Sequence, residues 1–309
     1  MKKRTKNTKI KRLTFFTLLM ISGLLTSCHG DGVDRDPVVE TVVSDFAGND
    51  AVSVDRRGNV YVSEFGRFVG SNGNGTRVFK VSKNGDVTEF VTGLTGPLGN
   101  AIDAHGNLYV VNGSGNGSGD ILKITADGTR TTLATIDGFP SGLTLDSYNN
   151  VYVSNFGTPT VHRITQEGEV TVYASDSRLA GGVGIDFDYK GNLVVGNFAT
   201  ADIVSIDPEG NVSLIATIPN AVVNGFGIGY ITVAGNSVFA TGIGVNKIFR
   251  VTLDGRVEEF AGTGTPAVVD GPVGEASFNG PNGITVDKYA KAIYISEFGG
   301  AGALRKIKL

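Results

Sequence analysis

The chain has no tryptophan, one cysteine, two methionines, three histidines and nine prolines in 309 residues. A single cysteine excludes an internal disulfide framework and a cysteine-built zinc site within one chain. With aromatics at 8% and no tryptophan, the composition does not suit a polytopic membrane protein. A formal charge of −3 leaves no basic footprint for nucleic acid. No Walker-type phosphate loop is present, and the glycine-rich stretches do not lead into helices. What is abundant is glycine, 45 residues, about twice the usual share. Apolar residues, at 40%, are ample for a buried core and exclude a wholly disordered chain.

The N-terminus stands apart. Lys2, Lys3, Arg4, Lys6, Lys9, Lys11 and Arg12 precede an apolar run from Leu13 to Leu25, and no acid lies in the first 27 residues. A basic stretch, a short apolar stretch and small residues before a cut form a secretory signal, and the run is too short for a comfortable membrane span. Of the 27 basic residues seven lie here, which leaves 20 against 30 acidic ones after cleavage. That surplus disfavours anionic membranes and nucleic acid as electrostatic partners. Gly30 to Asp36 is polar and acidic and reads as a tether.

After residue 38 a phrase of hydrophobic-Asp-x-x-Gly/Asn-Asn-hydrophobic recurs. It stands at Asp55 to Val60, Asp103 to Leu108, Asp146 to Val151 and Asp188 to Leu193, at intervals of 48, 43 and 42 residues. Degraded copies lie at Val233 to Val238 and Val286 to Ile293. This is the period of a four-stranded propeller blade. Each unit has a short apolar strand, the Asp turn, and a second strand such as Val60-Tyr61-Val62-Ser63. A third strand, a Gly turn such as Asn84-Gly85 and a fourth strand such as Val87 to Val91 follow. No window shows helical periodicity. Six first, second and third strands can be found but only five fourth strands, and Val38 to Val43 resembles the missing one. Its pairing beside Leu304 to Leu309 closes a ring and removes open edges. The predicted fold is all-β, a six-bladed propeller over 38–309, preceded by a signal (1–27) and a tether (28–37).

Leu25-Thr26-Ser27-Cys28 resembles the bacterial lipoprotein signal, in which Cys28 is acylated and becomes the first residue. That resemblance implies an extracytoplasmic protein of the cell envelope, tied to a membrane only through its lipid. The sixth unit carries Phe260-Ala261-Gly262-Thr263-Gly264, Asp270-Gly271-Pro272 and Gly280-Pro281-Asn282-Gly283-Ile284. It closes with Ile293-Tyr294-Ile295-Ser296 and Leu304-Arg305-Lys306-Ile307, and the whole resembles the NHL repeat. The units are also similar to gluconolactonase/SMP-30-like and streptogramin-lyase-like propellers. Such propellers host binding, lactone hydrolysis and lyase chemistry alike.

The Asp turns are short and uniform, so that face is scaffold; the other face carries loops of varied length, where function usually sits. Long loops there are Gly66 to Thr76, Gly113 to Gly119 and Thr263 to Asn279, the glycine-rich ones read as solvated. Glu64, Asn112, Asn155, Asn197 and Glu297 close the second strands, either as a ring of oxygen donors or as bonds to the loops they open. Asp50, Asn100, Ser141, Asn224 and Asn282 stand at the starts of first strands. Asn224-Gly225 and Asn282-Gly283 resemble the lactonase-like metal position, which with Asp50 implies calcium or magnesium. The Ser-Glu-Phe-Gly context of Glu64 and Glu297 resembles the streptogramin-lyase strand end, where such a Glu can hold magnesium. His29 is in the tether, His105 in an Asp turn and His162 inside a third strand, so none is placed as a base at the axis. That counts against a lyase and against Ser/His or Cys/His nucleophiles. The leading expectation is a lipid-anchored, monomeric NHL-type propeller that binds a small molecule, glycan or protein on its variable face. The alternatives are a calcium-dependent lactonase-type hydrolase and a streptogramin-lyase-like lyase.

Overall fold

The computed structural model describes residues 36–289 and 291–309. The signal segment, Cys28, His29 and all but the last two residues of the tether lie outside the described residues. Six antiparallel sheets form the blades, five of four strands and one of five. In the first blade the strands run Val52–Val54, Val60–Ser63, Val78–Val81 and Val87–Val91 from inside outward. The six inner strands touch one another in a closed circuit, which puts them around one axis.

Burial follows this order. Val60 to Ser63 is buried on both sides, the mark of a strand between neighbours, whereas Val87 to Glu89 is exposed at the rim. Apolar clusters lie between successive blades: Tyr152, for example, packs edge-on against Tyr173 and Phe187, each at 5.1 Å.

The Asp turns are built alike. Asp55 Oδ1 accepts from the amides of Arg57 and Asn59, and its Oδ2 accepts from Asn59 Nδ2. Asp103, Asp146 and Asp188 repeat the pattern with Asn107, Asn150 and Asn192. The residue before each Asn has positive φ, 85° at Gly106 and 63° at Asn149, so Gly and Asn are the residues that fit.

The ring closes as the strand count predicts. Val38–Ser44 pairs with Ala303–Lys308, Val39 opposite Ile307 and Thr41 opposite Arg305. Gly271–Pro272 then pairs with Val38 and Val39 as a fifth, outermost strand. This corrects the reading of 263–279 as a loop of the variable face. Its middle lies along the outer edge of the last blade because buried Arg305 draws it there. That guanidinium donates to the carbonyls of Ser277 and Val269 and to Asp270, and Asp270 accepts from the Thr41 amide and hydroxyl.

The glycine-rich loops are solvated, as expected, but they are ordered by their own contacts. Phe68–Val69 and Asn72–Gly73 form a small hairpin, and Asn72 Oδ1 accepts from the Gly115 amide of the neighbouring loop at 2.6 Å. A side chain at Gly73 or Gly75 would press into the carbonyls of Phe65 and Glu64. At Gly73 and Gly75 glycine allows close approach, whereas Gly70, Gly113 and Gly117 have open space and a positive φ.

Candidate functional site

Four second strands end in a polar residue followed by phenylalanine: Glu64-Phe65, Asn155-Phe156, Asn197-Phe198 and Glu297-Phe298. The polar residue turns back into the frame and the phenylalanine reaches the axis. Asn155 Oδ1 accepts from the amides of Phe139, Gly157 and Thr158, while its Nδ2 donates to the Asp137 carbonyl. Asn197 likewise bonds Ala180, Ala199 and Thr200, and Asn112 accepts from the Thr95 amide. These asparagines secure the loop that each strand opens to the linker from the previous blade. They do not form a ring of free oxygens.

The two glutamates are held by arginine. Glu64 accepts from Arg77 at 2.8 Å through both oxygens. Glu297, wholly buried, pairs with Arg305 at 2.7 Å. Burial pushes the Glu297 carboxyl up to about 7 against the pull of that guanidinium. A guanidinium already stands where magnesium would have to bind, so these residues do not fit the metal. Among the described residues no group of three or more His, Cys, Asp or Glu is gathered that could hold an ion.

The polar residues that start the inner strands divide. Asn100 is buried and bridges two blades, Nδ2 donating to the Ala51 carbonyl and Ser63 Oγ at 2.8 Å. Asn224 is exposed in a turn between Val223 and Phe226, at φ 53°, and does not line the axial cavity. The two-residue turn takes Asn-Gly for its backbone shape. Asp50 and Asn282 do meet: Asn282 Nδ2 donates to Asp50 Oδ2 at 3.1 Å and to the Asn49 carbonyl at 3.0 Å. Asp50 Oδ1 accepts from the Tyr230 hydroxyl at 2.6 Å and from the Ala51 amide at 2.9 Å. The groups turned towards this carboxylate are all donors. They stabilise an anion and do not supply the oxygen shell that calcium needs.

Burial nevertheless dominates, and the Asp50 carboxyl is pushed up to about 6. Burial beside Asp50 also raises Tyr230 well above the phenol range. Above these residues opens a cavity of about 220 Å³. Its wall is phenylalanine from several blades: Phe65, Phe68, Phe139, Phe156, Phe198, Phe226 and Phe298. Phe139, Phe156, Phe198 and Phe226 form a continuous arc, each ring 5.8 to 6.0 Å from the next and set edge-on. Asp50, Tyr230, Asn282 and Ser141 supply its polar groups. Among the described residues no Lys, Arg or His lines it. His105 sits in its exposed turn, and His162 lies in the strand Thr160–Ile164, where burial lowers its pKa.

Sequence reasoning missed the aromatic wall. The signal was there, as a phenylalanine directly after the strand-closing polar residue in four of six units.

Compared with known families, residues 62–297 match the virginiamycin B lyase family. The chain belongs to the virginiamycin B lyase family. Of the three resemblances in the sequence, this supports the streptogramin-lyase one ahead of the NHL one. Comparison with curated sequences returns no match. Among solved structures the chain is similar to a catalytically inactive virginiamycin B lyase from Staphylococcus aureus with quinupristin. That likeness has 20% identity, covers 88% of this chain and 99% of the other, and has a TM-score of 0.61. It is similar to an auxiliary nutrient binding protein from Bacteroides thetaiotaomicron at 17% identity, covering 88% and 76%, with a TM-score of 0.70. A gluconolactonase from Xanthomonas campestris gives 14% identity, 89% and 96% coverage and a TM-score of 0.64. At these identities the likenesses show the fold.

Proposed function

We propose that this member of the virginiamycin B lyase family captures a bulky, ring-bearing apolar molecule in the phenylalanine cup at its axis. The observation that carries this is the cup itself, an apolar concavity with a few convergent polar groups at one end. A similar propeller is an auxiliary nutrient binding protein, which agrees with a binding role. A thermal-shift panel of ring-bearing hydrophobes tests it. Native protein should be stabilised by some members, and the double variant Phe156→Ala/Phe198→Ala should lose the shift. A panel without effect, or equal shifts in the variant, defeats the reading.

A second reading, lyase chemistry, is favoured by the family and by Asp50. A lyase needs a group that takes up a proton, and a carboxyl near pKa 6 beside the cavity is suited to that task. The inactive relative carries a histidine-to-alanine change, and no histidine lines the cup here. Among the described residues that line the cup, Asp50 is the group suited to take up the proton. Incubation with quinupristin, followed by chromatography for a ring-opened product, decides it. No product from native protein removes the lyase reading and leaves binding in place.

We also propose that Cys28 carries the lipid anchor. Cys28→Ala should abolish acyl labelling and recovery in the membrane fraction; unchanged recovery would place the anchor elsewhere.

A further inference from the structure

Among the described residues the Asp50 carboxylate has no positive partner. It is 5% exposed, its bonds come from a phenol, an amide side chain and one backbone amide, and no Lys, Arg or His lines the cavity beside it. Elsewhere this fold does pair its strand-end carboxylates: Glu297 has Arg305 and Glu64 has Arg77. An ionised group buried without a counter-charge is costly, and a ligand that brings the charge removes that cost. The three donors leave room on the carboxylate for one more hydrogen bond, too few for a hard metal ion and enough for one ammonium. Phenyl faces attract cations as well.

We propose that the ligand of the cup is an organic cation, an ammonium-bearing apolar molecule whose charge sits between Asp50 and the faces of rings such as Phe198. This rests on the reading of the cup as a ligand site. The charge is the specificity determinant; the rings supply most of the contact and Asp50 selects among apolar molecules of similar shape. Tyr230 and Asn282 act as positioning residues that fix the carboxylate through hydrogen bonds.

The test uses the mature protein and two probes of nearly the same shape, 2-phenylpropan-2-ylammonium, which has N–H groups to donate, and its neutral counterpart tert-butylbenzene. Native protein should bind the cation at least about tenfold tighter. Asp50→Asn should remove that preference while leaving affinity for the neutral probe, and Phe198→Ala should weaken both. As a check that needs no variant, the cation should bind more tightly as pH rises through 6, because Asp50 ionises, while the neutral probe should not respond. Tyr230, the one titratable group bonded to Asp50, stays protonated across that range. Equal or tighter binding of the neutral probe, or a preference unchanged in Asp50→Asn, overturns the cation and keeps the cup. Failure of both probes to bind at millimolar concentration overturns both.

Discussion

At the scale of single residues, two buried carboxylates set how the molecule responds to acid. Asp50 has a pKa of about 6 when folded, above the ordinary aspartate range, so the folded chain holds that proton more tightly than the unfolded one. Its contribution therefore favours folding at low pH and is withdrawn as pH rises from about 4 to about 6. Asp50→Asn should cancel that loss, worth about 3 kcal/mol at most. Variant minus native stability should climb across pH 4 to 6 and then level off; parallel denaturation curves at all pH values would show that Asp50 does not titrate there. Glu297 has the same sign over a window reaching about 7, because burial outweighs the pull of Arg305. Arg305→Ala would leave Glu297 uncompensated and release Val269, Asp270 and Ser277. Its expected cost is about 3–5 kcal/mol, read by urea unfolding. A loss below about 1 kcal/mol would mean the pair does not hold the last blade.

At the scale of elements, the inner strands approach so closely that glycine is required on them. A side chain at Gly283 would enter the space of the Asp50 carbonyl, and one at Gly142 that of the Val183 carbonyl. Hydroxyls of the second strands bond at the same seams: Ser296 Oγ donates to the Asp50 carbonyl and Ser154 Oγ to that of Val183, each at 2.6 Å. Gly283→Ala should therefore destabilise by about 1–3 kcal/mol through overpacking. Gly106 is a contrast. It has open space around it and only its φ of 85° to satisfy, a requirement that Asn149 meets in the next blade. Gly106→Asn should stay within about 0.5 kcal/mol of native, and Gly106→Val should cost about 1–2 kcal/mol. Thermal melts of the three variants check the order. Equal losses at Gly283 and Gly106 would remove the distinction between packing and backbone shape.

At the scale of the whole molecule, the ring is held by strands from both ends of the chain. Removing residues 38–44 exposes the edge of Ala303–Lys308 and frees Asp270 from Thr41. Such a truncation should yield aggregated or partly unfolded protein by light scattering, whereas starting the chain at residue 36 should not. A monomeric, fully folded truncation would show that closure is dispensable. The register also fixes a direction. Val38 lies opposite Lys308, and Lys308 lies opposite Ala292, so the chain enters on the face of the Asp turns. The phenylalanines follow the far ends of the second strands, so the cup opens on the other face.

The repeat, the blade count and a candidate for the closing strand are legible in one dimension, because each shows as a local pattern of residue types. Short apolar strands, an Asp that must bond its own turn and a Gly or Asn at positive φ leave their marks within ten residues. Asp50 and Asn282 were legible as polar residues at strand starts, and their meeting follows from ring closure across more than 230 residues of chain. Which way neighbouring side chains turn was settled by packing in three dimensions. Asn155 and Phe156 are adjacent in sequence, yet one bonds the loops and the other walls the cavity, because successive residues at the end of an extended strand point to opposite sides. In the same way Glu64 and Glu297 read as metal ligands until the arginines from their neighbouring strands are in place. A cavity belongs to six strands at once, and no single repeat contains enough of it to be read.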